Sequence, residues 1–515
     1  MGTTAREAMT SMPAVELAEL IARGDASSAE VVEAHIERIQ RVNPILNAVV
    51  VERYDEARAE AREADRRRAR GEPLGPLHGV PITIKDALDV AGTPSTFGLP
   101  SRASVLAERD DAYVARLRAA GAVILGKTNV AQCLLYYESD NPVYGRTNNP
   151  WNPDRTPGGS SGGEGAIIAA GGSPLGLGTD LGGSVRVPAT FCGVPGIKPT
   201  AGRTPDAGRH SLPIGQQAIA SQVGVLARTV TDVALGLEII NGVNVEPPLP
   251  LGDHRSVDVA GLRAAYYVDD GTFAVAPAVS RVVREAAHVL KERGASVAEW
   301  QPPDVGEAVH LCFALYSADG GRGISETVGR DRMDPRLRKL VAVAKMPGPA
   351  RAAARRLLEA VGQPTMGRFL EHFGHTHTAR YWDLVEAQMD YRRRFAEALD
   401  RAGIDVILCP ACALPAFTHG ASNDLGLAGG YAVLYNLLGY PAGVVPFDRV
   451  RKDEEVGRKP SRDRVEKAAL KVERESAGLP VGVQVVARPW REHQALAVMR
   501  AIEQLRDGHP RQLPM

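Results

Sequence analysis

Residues 158–188, "GGSSGGEGAIIAAGGSPLGLGTDLGGSVRVP", set eleven glycines and four serines in thirty-one positions. Glycine at that density is used where backbone must come close to other backbone or to a bound molecule. The stretch has its own punctuation. An apolar run, "SPLGLG", leads into "TDLGGSVRVPA", which puts two glycines directly before Ser184. A chain built around such a segment needs a rigid frame to hold it.

The frame reads as alternating strands and helices. Short apolar runs flanked by glycine, "GVPITI" (79–84) and "GAVILG" (121–126), suit strands buried on both faces. "DDAYVARLRAA" before the second run is helical, and strand-like "LRAAYYV", "ASVAEW" and "IDVIL" follow later, with helices near 276–293 and over 335–400. The expected fold is α/β: a single large domain with a mixed, mostly parallel β-sheet covered by helices on both faces. Residues 1–75 form an N-terminal helical segment packed on the core, residues 76–510 the main domain, and 335–400 a helical cap. Within the first segment, Ser27 and Glu30 have capping-box spacing and Asn43-Pro44 closes the helix they open. "YDEARAEAREADRRRARGE" is a solvated charged helix. The Pro-rich 245–261 reads as a surface connection and the charged 449–476 as an exposed excursion.

Composition removes several classes of function. Lys plus Arg equals Asp plus Glu at 61 each, so no net field recruits nucleic acid or anionic membrane. Five cysteines, odd and sparse, suit a reducing cytoplasm better than a disulfide framework. No run approaches the length of a membrane span, and "MGTTAREAMTSMP" lacks the apolar core of a secretory leader, so a cytoplasmic chain is expected.

Four motifs have plainer readings. "GAVILGKT" matches a phosphate-binding loop, yet Val123-Ile124-Leu125 is itself the strand such a loop must follow. "CPAC" (Cys409 to Cys412) has thioredoxin-like spacing, but Pro415 argues against a helix starting there. His372, His375 and His377 have no carboxylate or thiol beside them in a ligand pattern. "GGSSG" fits the nucleophile elbow of α/β-hydrolases, but "NNPWNPDRTP" upstream cannot be the central strand that motif needs.

Ser184 fits a nucleophile better. Successive N–H groups in a glycine turn make a concavity for negative charge, which is what an oxyanion needs. A serine also needs a base. Lys85 ends the apolar run "GVPITIK", where desolvation favours the neutral amine. Pairing of Lys85 with Asp86 at a strand end is the competing reading, and turn hydrogen bonding is the competing reading for Ser160 and Ser161.

At these residues the sequence resembles the amidase signature family, and within it the fatty acid amide hydrolases. The likeness lies in "GVPITIKD", "GGSSGGEGA", "GSPLGLGTDLGGSVRVPATFCGVPGIKPT", "ILGKTNV", "SDNPVYGRTNNPW", "LYNLLGYPAGVVPF" and "GLPVGVQVVARPW". It covers about 75 to 505. The resemblance implies a serine amidase with Ser184 as nucleophile, Ser160 as bridging serine after a cis peptide bond, and Lys85 as base. It places the oxyanion on the N–H groups of Leu181, Gly182, Gly183 and Ser184, with Leu134 lining the substrate site and Ser161, Asp180 and Arg186 orienting the triad. No cofactor and no metal are implied. The implied substrate is a small-molecule amide with an apolar acyl group, Glu164 and "PAGVVPF" siding with the lipid-amide branch. Small or aryl amides, carbamates or esters are the alternative, and the glutamine-using chain of an amidotransferase is a more distant one. The cap, rich in Ala and Arg, implies at most weak peripheral membrane contact, and a homodimer is compatible with the family.

Overall fold

The computed structural model describes residues 3–205, 216–243 and 249–505, with side chains from residue 6 onward. The first part of the 245–261 connection and the end of the 76–510 span therefore lie outside the described residues. Thirteen strands form in chain order: β1 (Val49–Glu52), β2 (Pro81–Lys85), β3 (Val123–Thr128), β4 (Asp140–Asn141), β5 (Gly145–Arg146), β6 (Leu175–Asp180), β7 (Gly196–Lys198), β8 (Gln222–Ala227), β9 (Arg263–Tyr266), β10 (Ser296–Glu299), β11 (Val406–Cys409), β12 (Ala442–Arg449) and β13 (Pro480–Ala487). Eleven make one sheet in the order β1-β3-β2-β6-β8-β7-β12-β13-β11-β9-β10, and β4 and β5 form a separate ribbon.

Strand residues alternate between two cores. Ile124 of β3 and Val223 and Val225 of β8 pack on one face with Leu117, Leu237, Leu290 and Met499. Val123 and Leu125 of β3 and Leu226 of β8 face the other way, onto Ile36, Ile39 and Ile167. Tyr391, Phe395, Tyr431 and Tyr435 extend the second face. Helices on both faces explain why these strands read as continuous apolar runs.

The sheet is mixed. Parallel pairing is confined to β3–β2–β6 and β11–β9–β10. The other neighbours, through β6–β8–β7–β12–β13–β11 and at β1–β3, run antiparallel. Antiparallel pairs carry more of the sheet than the apolar runs suggest, because a strand buried on both faces reads alike whichever way its neighbour runs.

Three local readings change. The capping box at Ser27 and Glu30 forms, but its helix continues through Pro44 to Leu46. Asn43 closes it from within, its Oδ1 accepting from the Ala48 and Val49 N–H groups. The chain then enters β1, a strand inside a segment that reads as helical, which adds the sheet edge beside β3. Helix Arg464–Glu473 lies within the charged 449–476 stretch, yet it buries Val465, Ala469 and Val472 in the second core. Its charges sit on the opposite face, so composition alone misplaces it as exposed. Among the described residues no helix is long and apolar enough to cross a membrane.

Candidate active site

Parallel strands β2 and β6 are neighbours, so their C-terminal ends emerge at one edge of the sheet and bring Lys85 to Thr179, one residue before Asp180. Above that edge, Ser160 sits on the turn into helix Gly162–Ala169, and Ser184 on the turn between β6 and helix Arg186–Cys192. The Ser161 N–H donates to the Ser184 carbonyl at 3.2 Å, which joins the two serine turns. This is where the glycines are needed. A Cβ on Gly159 would run into the backbone of Tyr136 and Glu138. Gly183 has φ +108°, a conformation other residues rarely adopt.

Lys85 is fully buried and Ser160 is 1% exposed. Lys85 Nζ lies 2.8 Å from Ser160 Oγ, 2.8 Å from Thr179 Oγ1 and 3.4 Å from the Thr179 carbonyl. The Gly159–Ser160 peptide bond is cis. Asp86 accepts from the Thr96 hydroxyl and the Thr96 and Phe97 N–H groups. Ser161 Oγ points to the Thr179 carbonyl at 3.4 Å. No hydrogen bond joins the Ser160 and Ser184 side chains among the described residues. Sequence reasoning misses Thr179, whose partner lies 94 residues away on the neighbouring strand.

Asp180 and Arg186 brace the Ser184 turn. Arg186 Nε and Nη2 donate to Asp180 Oδ2 and Oδ1 at 3.0 and 2.9 Å, with both side chains fully buried. Arg186 also donates to the Ala432 carbonyl and to Gln484 Oε1, each at 2.8 Å. Asp180 accepts further from Asn436 Nδ2 and from the Gly183 and Val185 N–H groups. Burial alone would raise this carboxyl, but the Arg186 charge and the hydrogen bonds outweigh it and hold it far below the usual carboxylate range. The Gly183 N–H is thus committed to Asp180 at 2.8 Å. The N–H groups of Leu181, Gly182 and Ser184 meet no acceptor among the described residues.

Ser184, 8% exposed, opens on a cavity of about 150 Å³. Its wall includes Leu134, Leu181, Phe313, Tyr316, Phe369 and Phe373, and none of its described lining residues carries a charge. Leu134 and the preceding Cys133 both have positive φ, +60° and +53°. Two adjacent non-glycine residues in that region mark a locally strained wall. The cap supplies Leu340, Ala344, Phe369 and Phe373. Behind the site, Glu164 is fully buried, its oxygens accepting from the Thr83 and Thr128 hydroxyls at 2.7 and 2.9 Å. Burial pushes its carboxyl up to about 8.

The remaining motifs lie elsewhere. "GAVILGKT" contains β3. Cys409 and Cys412 are buried, and burial raises both thiols. His372 packs against His310 and Phe313, while His377 caps the long helix Thr378–Ala402. No cluster of three or more His, Cys, Asp or Glu gathers as a metal site among the described residues.

Comparison with known proteins identifies the family. The Amidase family model matches residues 30–496. Fatty-acid amide hydrolase 1 of Sus scrofa is 33% identical over 510 residues, covering 97% of this chain and 86% of the relative. Amidase 1 of Gibberella moniliformis is 32% identical over 515 residues, covering 95% of this chain and 92% of its own. A solved fatty acid amide hydrolase superposes with a TM-score of 0.83 at 26% identity, over 97% of this chain and 86% of that one. The chain belongs to the amidase signature family, whose members hydrolyse amide carbon–nitrogen bonds.

Proposed function

We propose that this protein hydrolyses N-acyl amides with an apolar acyl group, through an acyl-enzyme on Ser184. The observation that carries the reading is the uncharged, aromatic-walled cavity opening directly onto Ser184. Burial of Lys85 disfavours the ammonium, and its contact with Ser160 puts a neutral amine where it can take a proton. Ser160 passes that demand on. It gives its proton to Lys85 and receives one from Ser184 as the Ser184 oxygen adds to the amide carbonyl. The N–H groups of Leu181, Gly182 and Ser184 receive the oxyanion, while Gly183 supplies the turn and anchors it to Asp180. Return of the proton through Ser160 to the amide nitrogen lets the amine leave, and water then releases the acid by the same relay.

Release of ammonia from glutamine, as the glutamine-using chain of an amidotransferase, is a more distant alternative than hydrolysis of small or aryl amides, carbamates or esters. Free glutamine carries an α-ammonium and an α-carboxylate, and the described cavity wall has no charged group to meet either. This favours an apolar acyl substrate. Labelling with a fluorophosphonate, followed by peptide mass spectrometry, tests the nucleophile. The expected adduct is on Ser184. An adduct on Ser160, or none on either serine, overturns the reading.

A further inference from the structure

Two tyrosine hydroxyls grip the loop between Asp180 and Ser184. Tyr316, from helix Val305–Ser317, donates to the Leu181 carbonyl at 2.6 Å, and Tyr137 donates to the Gly182 carbonyl at 2.7 Å. These carbonyls are consecutive. Each shares a rigid peptide plane with the N–H of the next residue, and in a trans peptide the two point opposite ways. Holding the Leu181 carbonyl therefore aims the Gly182 N–H, and holding the Gly182 carbonyl aims the Gly183 N–H, which reaches Asp180.

The loop needs outside support, because Gly182 and Gly183 have no side chains to resist rotation of the peptide between them. Both phenols are well placed to give it. A Cβ on Gly429 would run into the Tyr137 ring, so that glycine makes the ring's seat, and a Cβ on Gly183 would stand 3.7 Å from Tyr137 Cε1. Burial raises both hydroxyls far above their ordinary value, so they stay protonated donors.

We propose that Tyr137 and Tyr316 are positioning residues for the oxyanion hole: Tyr316 aims the Gly182 N–H at the transition state, and Tyr137 turns the Gly183 N–H onto Asp180, which locks the loop that presents the Gly182 and Ser184 N–H groups. The inference rests on the Ser184 reading above. A hydrogen bond to a peptide oxygen also strengthens the donor N–H of the same plane, so the Tyr316 bond adds to what the Gly182 N–H offers a developing oxyanion.

The test compares Tyr137→Phe, Tyr316→Phe and Ser184→Ala on one p-nitroanilide substrate, with phenylboronic acid as inhibitor. Serine adds to the trigonal boron and its proton passes to the enzyme base, leaving a tetrahedral anion that mimics the oxyanion. Each Phe variant keeps the ring and is expected to lower kcat about 10- to 100-fold, with KM within about threefold. The boronate Ki should rise by the same factor as kcat falls. Ki and KM do not depend on the folded fraction, so partial unfolding cannot imitate this split. Wild-type kcat and Ki in both Phe variants, or a raised KM with kcat and Ki unchanged, overturns the proposal. Ser184→Ala keeps the two claims apart: retained turnover there refutes the nucleophile, whereas a dead Ser184→Ala beside fully active Phe variants refutes only the positioning role.

Discussion

The amine of Lys85 and the hydroxyl of Ser160 lie 2.8 Å apart, on residues 75 positions distant in the chain, and both are closed to solvent. Such a contact is useful to catalysis only while the amine is neutral. Lys85→Ala is expected to lower kcat/KM by about a thousandfold or more, within the range that a missing base costs in relay systems. Near wild-type turnover in Lys85→Ala would return the residue to a structural role. The wild type should also lose activity toward acid, because protonation removes the lone pair that accepts the Ser160 proton. A profile flat down to about pH 4 contradicts a neutral-lysine base.

In the proposed relay, Thr179 helps to orient the Lys85 amine. The Thr179 hydroxyl and carbonyl lie where they can accept from a neutral Lys85 amine whose lone pair meets Ser160. Thr179→Val should cut kcat by about tenfold and move the acid limb of the pH profile, while Thr179→Ser should restore both. Wild-type kinetics in Thr179→Val would remove the residue from the relay.

Arg186 and Asp180 form a buried pair that also fixes the Ser184 turn. Removing one partner leaves an uncompensated charge, so Arg186→Met should destabilise the fold by about 3–5 kcal/mol. Urea unfolding measures this. A loss under about 1 kcal/mol would mean that the pair contributes little to the frame.

Much of this frame is readable in advance. β2 and β3 follow from glycine-flanked apolar runs, the helix between them is legible in "DDAYVARLRAA", and Lys85 ends its strand as its position in "GVPITIK" suggests. β1 is not readable, because "VVVE" between two helices is too short to show a period and gains its partner only from β3. The same holds for the site. Ser160, Ser184, Asp180 and Arg186 sit in one glycine-rich stretch, whereas Tyr137, Tyr316, Asn436 and Gln484 reach it from remote elements with no local pattern.

Glu164 gives a pH dependence of stability with a definite sign. Its carboxyl is raised to about 8 in the folded chain, against an ordinary value of 4.5. Between those values the folded protein holds a proton that the unfolded chain has lost, so this group's contribution to stability falls as pH rises. Glu164→Gln should therefore lose less Tm than the wild type between about pH 6 and pH 9. Identical slopes would show that the carboxyl is ionised throughout.

The most direct measurement is kcat/KM on p-nitroanilides of increasing acyl length, from acetyl to palmitoyl. The cavity of about 150 Å³ on Ser184 predicts a steep rise, up to about 0.8 kcal/mol per added methylene, until the cavity is filled. A flat or falling series would contradict an apolar acyl channel and point to small or aryl amides as the substrates.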